Sequence, residues 1–156
     1  MISKIKLIIW RILNWMKVGG VVQIILSSGI RDDGWFKSFH TKKSIDQNGN
    51  PIPWCTHSFN KFIEPRLKKN FVVFEYGSGN STLWYARRIS SIKCVEHDLT
   101  WYMEYKSLFP KNVQAVHRPF NNDLSYAKEI TADDTKYDVI SIDGVDRNNC
   151  ISFSIK

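Results

Sequence analysis

The 156-residue chain is predicted to form an α/β fold, a parallel sheet with helices on both faces. Three observations predict this fold. Short apolar runs end in polar residues, predicted helices separate these runs, and the first run leads into a glycine-rich turn that opens a helix. Such alternation favours a parallel sheet, because each helix returns the chain to the edge where the next strand begins. An amphipathic helix is expected ahead of the sheet.

The first predicted strand, residues 71–75, begins the segment FVVFEYGSGNSTLWYA and ends in Glu75. A turn containing Gly77 and Gly79 follows, and then a predicted helix over residues 81–89. Glycine permits a sharp turn and leaves room for a ligand to approach the backbone. A strand, a glycine turn and a helix N-terminus are the usual setting for a nucleotide-like ligand.

The rest of the sheet follows from the same alternation. Further strands are predicted over residues 92–96, 113–117 and 138–142, with helices over 99–108 and 122–131 and another beginning near 147. The carboxyl ends of parallel strands meet at one edge, where open α/β sheets bind their ligands. We therefore expect Glu75, Glu96 and Asp143 to lie at that edge.

The sequence of the glycine turn distinguishes between two kinds of nucleotide-binding motif. The dinucleotide fingerprint has a third glycine three residues after the second, and Thr82 occupies that position here. The acid-x-Gly-x-Gly pattern that starts at Glu75 resembles the first motif of class I S-adenosylmethionine-dependent methyltransferases. In that family the turn lies against the methionine and ribose part of S-adenosylmethionine. The resemblance therefore implies a set of cofactor-binding residues, namely Glu75, Gly77, Ser78, Gly79, Asn80, Ser81 and Thr82.

The second predicted strand, in SIKCVEHD, ends in Glu96. An acid at this place can accept hydrogen bonds from both ribose hydroxyls, as in other nucleotide-binding sheets. By resemblance Glu96 is the ribose-binding acid of the methyltransferase, and His97 and Asp98 lie beside the adenine edge. Taken alone, Glu96 would be interpreted as a solvated acid at a strand end.

The fourth predicted strand, in YDVISIDGVDRN, ends in Asp143. This segment is similar to the fourth methyltransferase motif, whose strand tip faces the transferred methyl group. The resemblance makes Asp143 a further cofactor contact, and makes Asp143 and Asp146 the candidate catalytic bases. The chemistry implied is direct displacement, in which a nucleophilic acceptor attacks the sulfonium methyl in line and the enzyme positions both reactants.

The segment IDGVDRNN also loosely resembles the metal-binding strand end of catechol O-methyltransferase-like enzymes, in which an Asp binds magnesium. The remaining ligands in that family follow a fifth strand, which this sequence lacks. Magnesium is therefore a secondary expectation, and no residue is assigned as a metal ligand. Since the family has seven strands and four are visible here, a C-terminally truncated methyltransferase, with doubtful activity on its own, is expected.

Composition limits the alternatives. A net charge of +7 and a pI of about 9.4 favour an anionic neighbour, but the basic residues are dispersed, so nucleic acid is not indicated. The three cysteines, Cys55, Cys94 and Cys150, lack metal-like spacing. We interpret them as reduced thiols of a cytoplasmic protein.

Residues 2–17 fit an amphipathic helix with lysines and Arg11 on one face. Charge interrupts it too often for a membrane span. A basic amphipathic helix containing Trp can lie on an anionic membrane surface, and the alternative is packing on its own domain or a partner. The apolar stretch Val21 to Leu26 has no assignment.

The segment from Ser27 to Pro53 is rich in turn residues and is predicted to be a loop or a short hairpin. A helix is expected to begin at Thr56 or Ser58 and to run through Lys69. Trp54, Thr56 and His57 are candidates for a lid over the cofactor, or else Trp54 is a packing anchor and His57 a surface residue. The domains predicted are an extension over 1–53 and a partial methyltransferase domain over 54–156.

The sequence is compatible with three functions. The first is an S-adenosylmethionine-dependent methyltransferase acting on an unidentified acceptor. The second is a nicotinamide-dependent oxidoreductase, against which Thr82 argues. The third is a non-catalytic protein that binds a membrane surface or a partner through its N-terminal helix.

Overall fold

The computed structural model describes residues 2–155, and the side chains from residue 4 onward. The chain divides into two compact units, Met1–Asn50 and Pro51–Lys156. The sequence-based domain division at residue 53 stays a prediction.

The first unit is helical in its described part. Its helices are α1 (Ile2–Trp15), α2 (Gly19–Leu26), α3 (Gly29–Asp32) and α4 (Trp35–Thr41). The predicted N-terminal helix is thus confirmed, and it ends two residues early, before Lys17 takes a left-handed φ of 58°. Helix α2 accounts for the apolar stretch that had no assignment.

The prediction of a loop or hairpin over residues 27–53 is wrong for α3 and α4. The Ser28 hydroxyl accepts a hydrogen bond from the Arg31 N–H and so caps α3. Gly34, with a φ of 89°, then starts α4. The turn residues of this segment therefore separate two short helices instead of joining two strands.

The second unit contains one four-stranded sheet. Its strands are β1 (Val72–Tyr76), β2 (Ser91–Glu96), β3 (Val113–His117) and β4 (Val139–Ile142). All pairs are parallel, and the order is β3-β2-β1-β4. The chain moves outward from β1 to β2 and β3, and then returns to place β4 on the other side of β1. This is a Rossmann-like α/β sheet with a switch point between β1 and β4, which confirms the predicted fold class.

Among residues 51–155, five helices and two 3₁₀ turns accompany this sheet. They are α5 (His57–Ile63), α6 (Asn80–Ala86), α7 (Leu99–Lys106), α8 (Ser125–Lys128), α9 (Arg147–Ser154), Glu64–Arg66 and Glu129–Thr131. Thr56 caps α5 by accepting from the Phe59 N–H, as one of the two predictions had it. The prediction that this helix runs through Lys69 is wrong, because the chain tightens into a 3₁₀ turn at Pro65. The predicted helix over 122–131 is likewise reduced to α8 and the 3₁₀ turn that follows it.

Both faces of the sheet are covered. Val73 and Ile92 point to a core formed with α6, including Trp84 and Tyr85. Alternate strand residues point the other way, into a second core formed with α8 and α9, whose buried members include Phe74, Tyr76, Val95, Tyr126, Ala127 and Cys150. The two-residue period of the strands thus divides the apolar residues between two layers of helices.

Candidate functional site at the carboxyl edge of the sheet

A cleft of about 330 Å³ lies at the carboxyl ends of the strands. Its lining residues come from the ends of β1, β2 and β4 and from the starts of α6 and α7, and they are Glu75, Gly77, Ser78, Ser81, Glu96, His97, Asp98, Trp101, Asp143 and Gly144. The cleft is therefore next to the switch point, where sheets of this class bind ligands.

The floor of the cleft is a close approach of two loops. Gly77 has a φ of 100°, and its N–H donates to the Val95 carbonyl at 2.8 Å. A Cβ atom on Gly144 would lie 2.0 Å from the Tyr126 hydroxyl and 3.0 Å from the Gly77 nitrogen. The close approach of the two turns requires glycine at position 144, and the positive φ of Gly77 favours glycine at position 77.

Glu75 is buried behind the glycine turn and is 1% exposed. The Thr82 hydroxyl donates to Glu75 Oε2 at 2.5 Å and accepts from the Gly79 N–H at 3.0 Å. These two hydrogen bonds join the end of β1 to the glycine turn and to the first turn of α6. Thr82, at the position of the missing third glycine, supplies both of these hydrogen bonds.

Burial raises the pKa of Glu75 to about 7, and the Ser81 and Thr82 hydroxyls oppose that rise by hydrogen bonding to the carboxylate. The neighbouring carboxylates of Asp143 and Glu96 add to it. Near neutral pH Glu75 is therefore divided between its charged and neutral forms.

Glu96 is 4% exposed and is held by the start of the loop that follows it. Its Oε1 accepts from the N–H groups of His97 at 2.8 Å and Asp98 at 3.0 Å. The Ser78 hydroxyl donates to Oε2 at 3.0 Å. His97 Nδ1 lies 2.9 Å from Oε1, outside hydrogen-bonding geometry. A carboxylate offers about four acceptor sites, so Glu96 retains capacity for a ligand hydroxyl.

Asp143 stands at the cleft rim with its side chain 47% exposed. Arg147, four residues further along the chain at the start of α9, has its Nη2 atom 3.2 Å from Asp143 Oδ1. Asp146 is not among the lining residues in the described part of the chain. Its carboxylate accepts from the Asn149 amide at 2.8 Å instead. Of the two predicted bases, the structure places Asp143 at the cleft.

The other predicted residues fall into two groups. Gly77, Ser78, Ser81, His97 and Asp98 line the cleft together with the three acids. Gly79, Asn80 and Thr82 do not line the cleft among the described residues, but they make hydrogen bonds in the layer behind it. Thr82 is fully buried, and Asn80 Oδ1 accepts from the Tyr105 hydroxyl at 3.3 Å.

Within the described chain, none of the three lid candidates, Trp54, Thr56 and His57, lines the cleft. Thr56 instead caps α5. Trp54 is 66% exposed. The neighbouring Cys55 is close enough to the cleft that, beside burial, Asp143 and Glu75 raise the pKa of its thiol.

Trp101 lines the cleft, Tyr126 is a core residue packed beneath it, and both were missed in the sequence. The Trp101 indole N–H donates to the Ser78 carbonyl at 2.7 Å, and a Cβ on Gly79 would lie 3.5 Å from the ring. Tyr126 lies under the loop that contains Gly144 and has its ring centroid 6.1 Å from that of His97. Trp101 could have been found, because it follows the α7 cap Asp98 by three residues at the carboxyl edge. Tyr126, distant in sequence, gave no signal.

The cleft is acidic although the protein is basic. Glu75, Glu96, Asp98 and Asp143 line it, and none of its lining residues in the described chain is Lys or Arg. Arg147 reaches the rim at Asp143. No group of three or more His, Cys, Asp or Glu side chains suited to a metal ion occurs among residues 2–155, and the magnesium expectation stays a prediction.

The fold and this cleft define a Rossmann-like α/β protein with a cleft at its switch point. No family model and no curated protein matches the chain. Among solved structures, it is similar to the YcgJ protein from Bacillus subtilis, with a TM-score of 0.46 and 14% identity. That alignment covers 62% of this chain and 44% of YcgJ, so the chain spans less than half of that protein's length.

Proposed function

We propose that the chain is an S-adenosylmethionine-dependent methyltransferase whose cofactor binds in the cleft at the carboxyl edge. The acidic lining carries this proposal. At neutral pH S-adenosylmethionine carries a sulfonium, an ammonium and one carboxylate, so a cleft lined by carboxylates attracts it. A nicotinamide dinucleotide carries two pyrophosphate charges, which the same carboxylates would repel. The charge of the lining therefore favours the methyltransferase over the oxidoreductase.

Several residues suit the parts of this cofactor. Glu96 is held in place by two backbone N–H groups and has acceptor capacity left for a ribose hydroxyl. Gly77 offers backbone that a ligand can approach. Trp101 is 40% exposed and fixed through its indole N–H, so its ring offers an aromatic surface for adenine or a cation.

S-adenosylmethionine supplies an activated methyl group, whose bond to sulfur breaks as the acceptor's nucleophile bonds to the methyl carbon. The protein's part is to orient the two reactants and exclude water. Asp143, exposed at the rim, can accept the proton of a hydroxyl acceptor, and Arg147 orients its carboxylate. The carboxylate of Glu96, together with the ionised fraction of Glu75, attracts the positively charged groups of the ligand.

The test is calorimetric titration of the full chain with S-adenosylhomocysteine and, separately, with NADH. We expect the homocysteine derivative to bind and NADH not to bind. Glu96→Ala should weaken binding about 10- to 100-fold, because it removes a charged hydrogen-bond acceptor. Glu104→Ala removes an exposed acid from α7 and is the matched control, which should bind like the wild type.

Glu96 is buried, so Glu96→Gln is included to keep the shape of the side chain while removing its charge. Circular dichroism of each variant establishes that it is folded. Tighter binding of NADH would overturn the proposal. Equal affinity of wild type, Glu96→Ala and Glu96→Gln for S-adenosylhomocysteine would remove Glu96 from the ribose site.

A further inference from the structure

The first two helices expose their apolar residues. Among residues 4–50, the buried positions are Gly19, Gly34 and Ser44, so no apolar side chain of this unit is fully buried. The exposed large apolar residues of this helical segment are Ile5, Leu7, Ile8, Ile9, Ile12, Trp15, Met16, Val18, Val21, Ile24, Ile25 and Leu26. A segment with so many exposed large apolar side chains is typical of a site that another surface covers.

The charges of the same segment all have one sign. Residues 1–31 contain no Asp or Glu, and Asp32 is the first acid of the chain. The cations of this segment are Lys4, Lys6, Arg11, Lys17 and Arg31. Each of the described helices α1 and α2 thus combines exposed apolar residues with cationic or uncharged polar ones, and neither carries a negative charge.

We propose that residues 2–26 form a membrane-surface anchor that lies flat on a bilayer containing anionic lipid. Helix α1 has 14 residues and is therefore about 21 Å long, shorter than a hydrocarbon core of about 30 Å. Within the described chain, no helix has the length and apolarity needed to cross a bilayer. A short, basic, apolar helix that contains Trp is suited to the interface between headgroups and acyl chains.

Charge complementarity favours an anionic bilayer over a second copy of the chain as the surface that covers α1 and α2. A second copy of the chain would bring a helix with the same cations and no acids, so the two would repel. An anionic bilayer offers acyl chains for Ile8 and Ile12 and negative headgroups for Lys4 and Arg11 on a single surface. Trp10 and Trp15 place amphipathic rings at the level where such residues concentrate in membrane proteins.

The experiment is co-sedimentation of the full chain with vesicles. One vesicle is phosphatidylcholine alone, and the other is phosphatidylcholine and phosphatidylglycerol in equal parts. We expect binding to the anionic vesicle, weak binding to the neutral one, and loss of binding in high salt. The variant Lys4→Gln/Lys6→Gln/Arg11→Gln should bind the anionic vesicle on the order of 100-fold more weakly, since each basic residue contributes about fivefold.

The matched control is Lys106→Gln/Lys111→Gln/Lys136→Gln. It removes the same number of positive charges from exposed positions of the second unit and should bind like the wild type. A second readout is tryptophan fluorescence. Trp15 is 84% exposed, so anionic vesicles should shift the emission to the blue, and Trp15→Phe should reduce that shift.

Three results would overturn the proposal. Equal binding to both vesicles would show apolar adhesion without headgroup recognition. Equal loss of binding in the two charge variants would show an effect of total charge alone. Absence of vesicle binding, together with a dimer by light scattering that Ile8→Asn/Ile12→Asn dissociates, would show that a second copy covers these helices.

Discussion

The two units of this chain differ in how far they bury their apolar side chains. In the second unit Phe74 and Tyr76 are fully buried between the sheet and its helices. In the first unit Ile8 is 57% exposed and Trp15 is 84% exposed, although both lie in a segment rich in apolar residues. Apolar content therefore does not predict burial. A strand with helices on both faces buries its side chains whichever way they point, whereas a short helix on its own covers little of its surface.

The units also differ in charge. The first 31 residues carry cations only, while the cleft of the second unit is lined by carboxylates. The net charge of +7 thus conceals two opposite local environments. A net charge describes the whole surface, and a binding site can have the other sign.

The largest expected difference between the units is the effect of deleting an aromatic side chain. Phe74→Ala should reduce the free energy of unfolding by about 3–5 kcal/mol, because it leaves a cavity beside Tyr76 and Tyr137. Trp15→Ala should change it by less than about 0.5 kcal/mol, because Trp15 is exposed. Urea unfolding of the full chain, followed by circular dichroism, measures both.

Glu75 allows the second unit to be tested by pH. Its pKa is raised to about 7 in the folded state from 4.5, so the folded state binds the proton more tightly than the unfolded state. Stability from this group is complete below pH 4.5 and is lost as pH rises through about 7. The loss is on the order of 3 kcal/mol.

Glu75→Gln should remove this part of the pH dependence, and urea unfolding of wild type and variant between pH 4 and about 8 measures the difference. Glu104→Gln changes an exposed acid and serves as the control. Parallel stability profiles for wild type and Glu75→Gln would show that folding does not raise the pKa of Glu75.

A smaller difference is expected from adding one methyl group to a glycine in each unit. Gly144→Ala should destabilise by about 1–3 kcal/mol, since its Cβ would meet the Tyr126 hydroxyl and the β1 turn. Gly20→Ala should stabilise by about 0.5–1 kcal/mol, because it improves helix propensity within α2 and its Cβ meets open space. Thermal unfolding measures both changes in stability. An unchanged stability of Gly144→Ala would mean that the turns after β1 and β4 move apart at little cost.

The sequence predicted most of the sheet and the position of the cleft. Strand β3 has the predicted bounds, β2 and β4 each begin one residue away from the prediction, and β1 is shifted by one residue at both ends. The two-residue period and the breaker residues between runs are local properties, so a sequence reveals them directly. The glycine turn and Glu75, Glu96 and Asp143 were found for the same reason, because each stands at the end of a strand.

Contacts between distant segments required the tertiary structure. The hydrogen bond from Thr82 to Glu75 explains why a threonine replaces the third glycine, and the pattern alone showed only the departure. The approach of Tyr126 to Gly144, and the placement of Asp143 but not Asp146 at the cleft, depend on how loops from separate strands meet. For α1 the sequence determined a helix with an apolar face, and the structure decided that this face is left exposed. Periodicity is a property of one segment, whereas burial depends on which other segments pack against it.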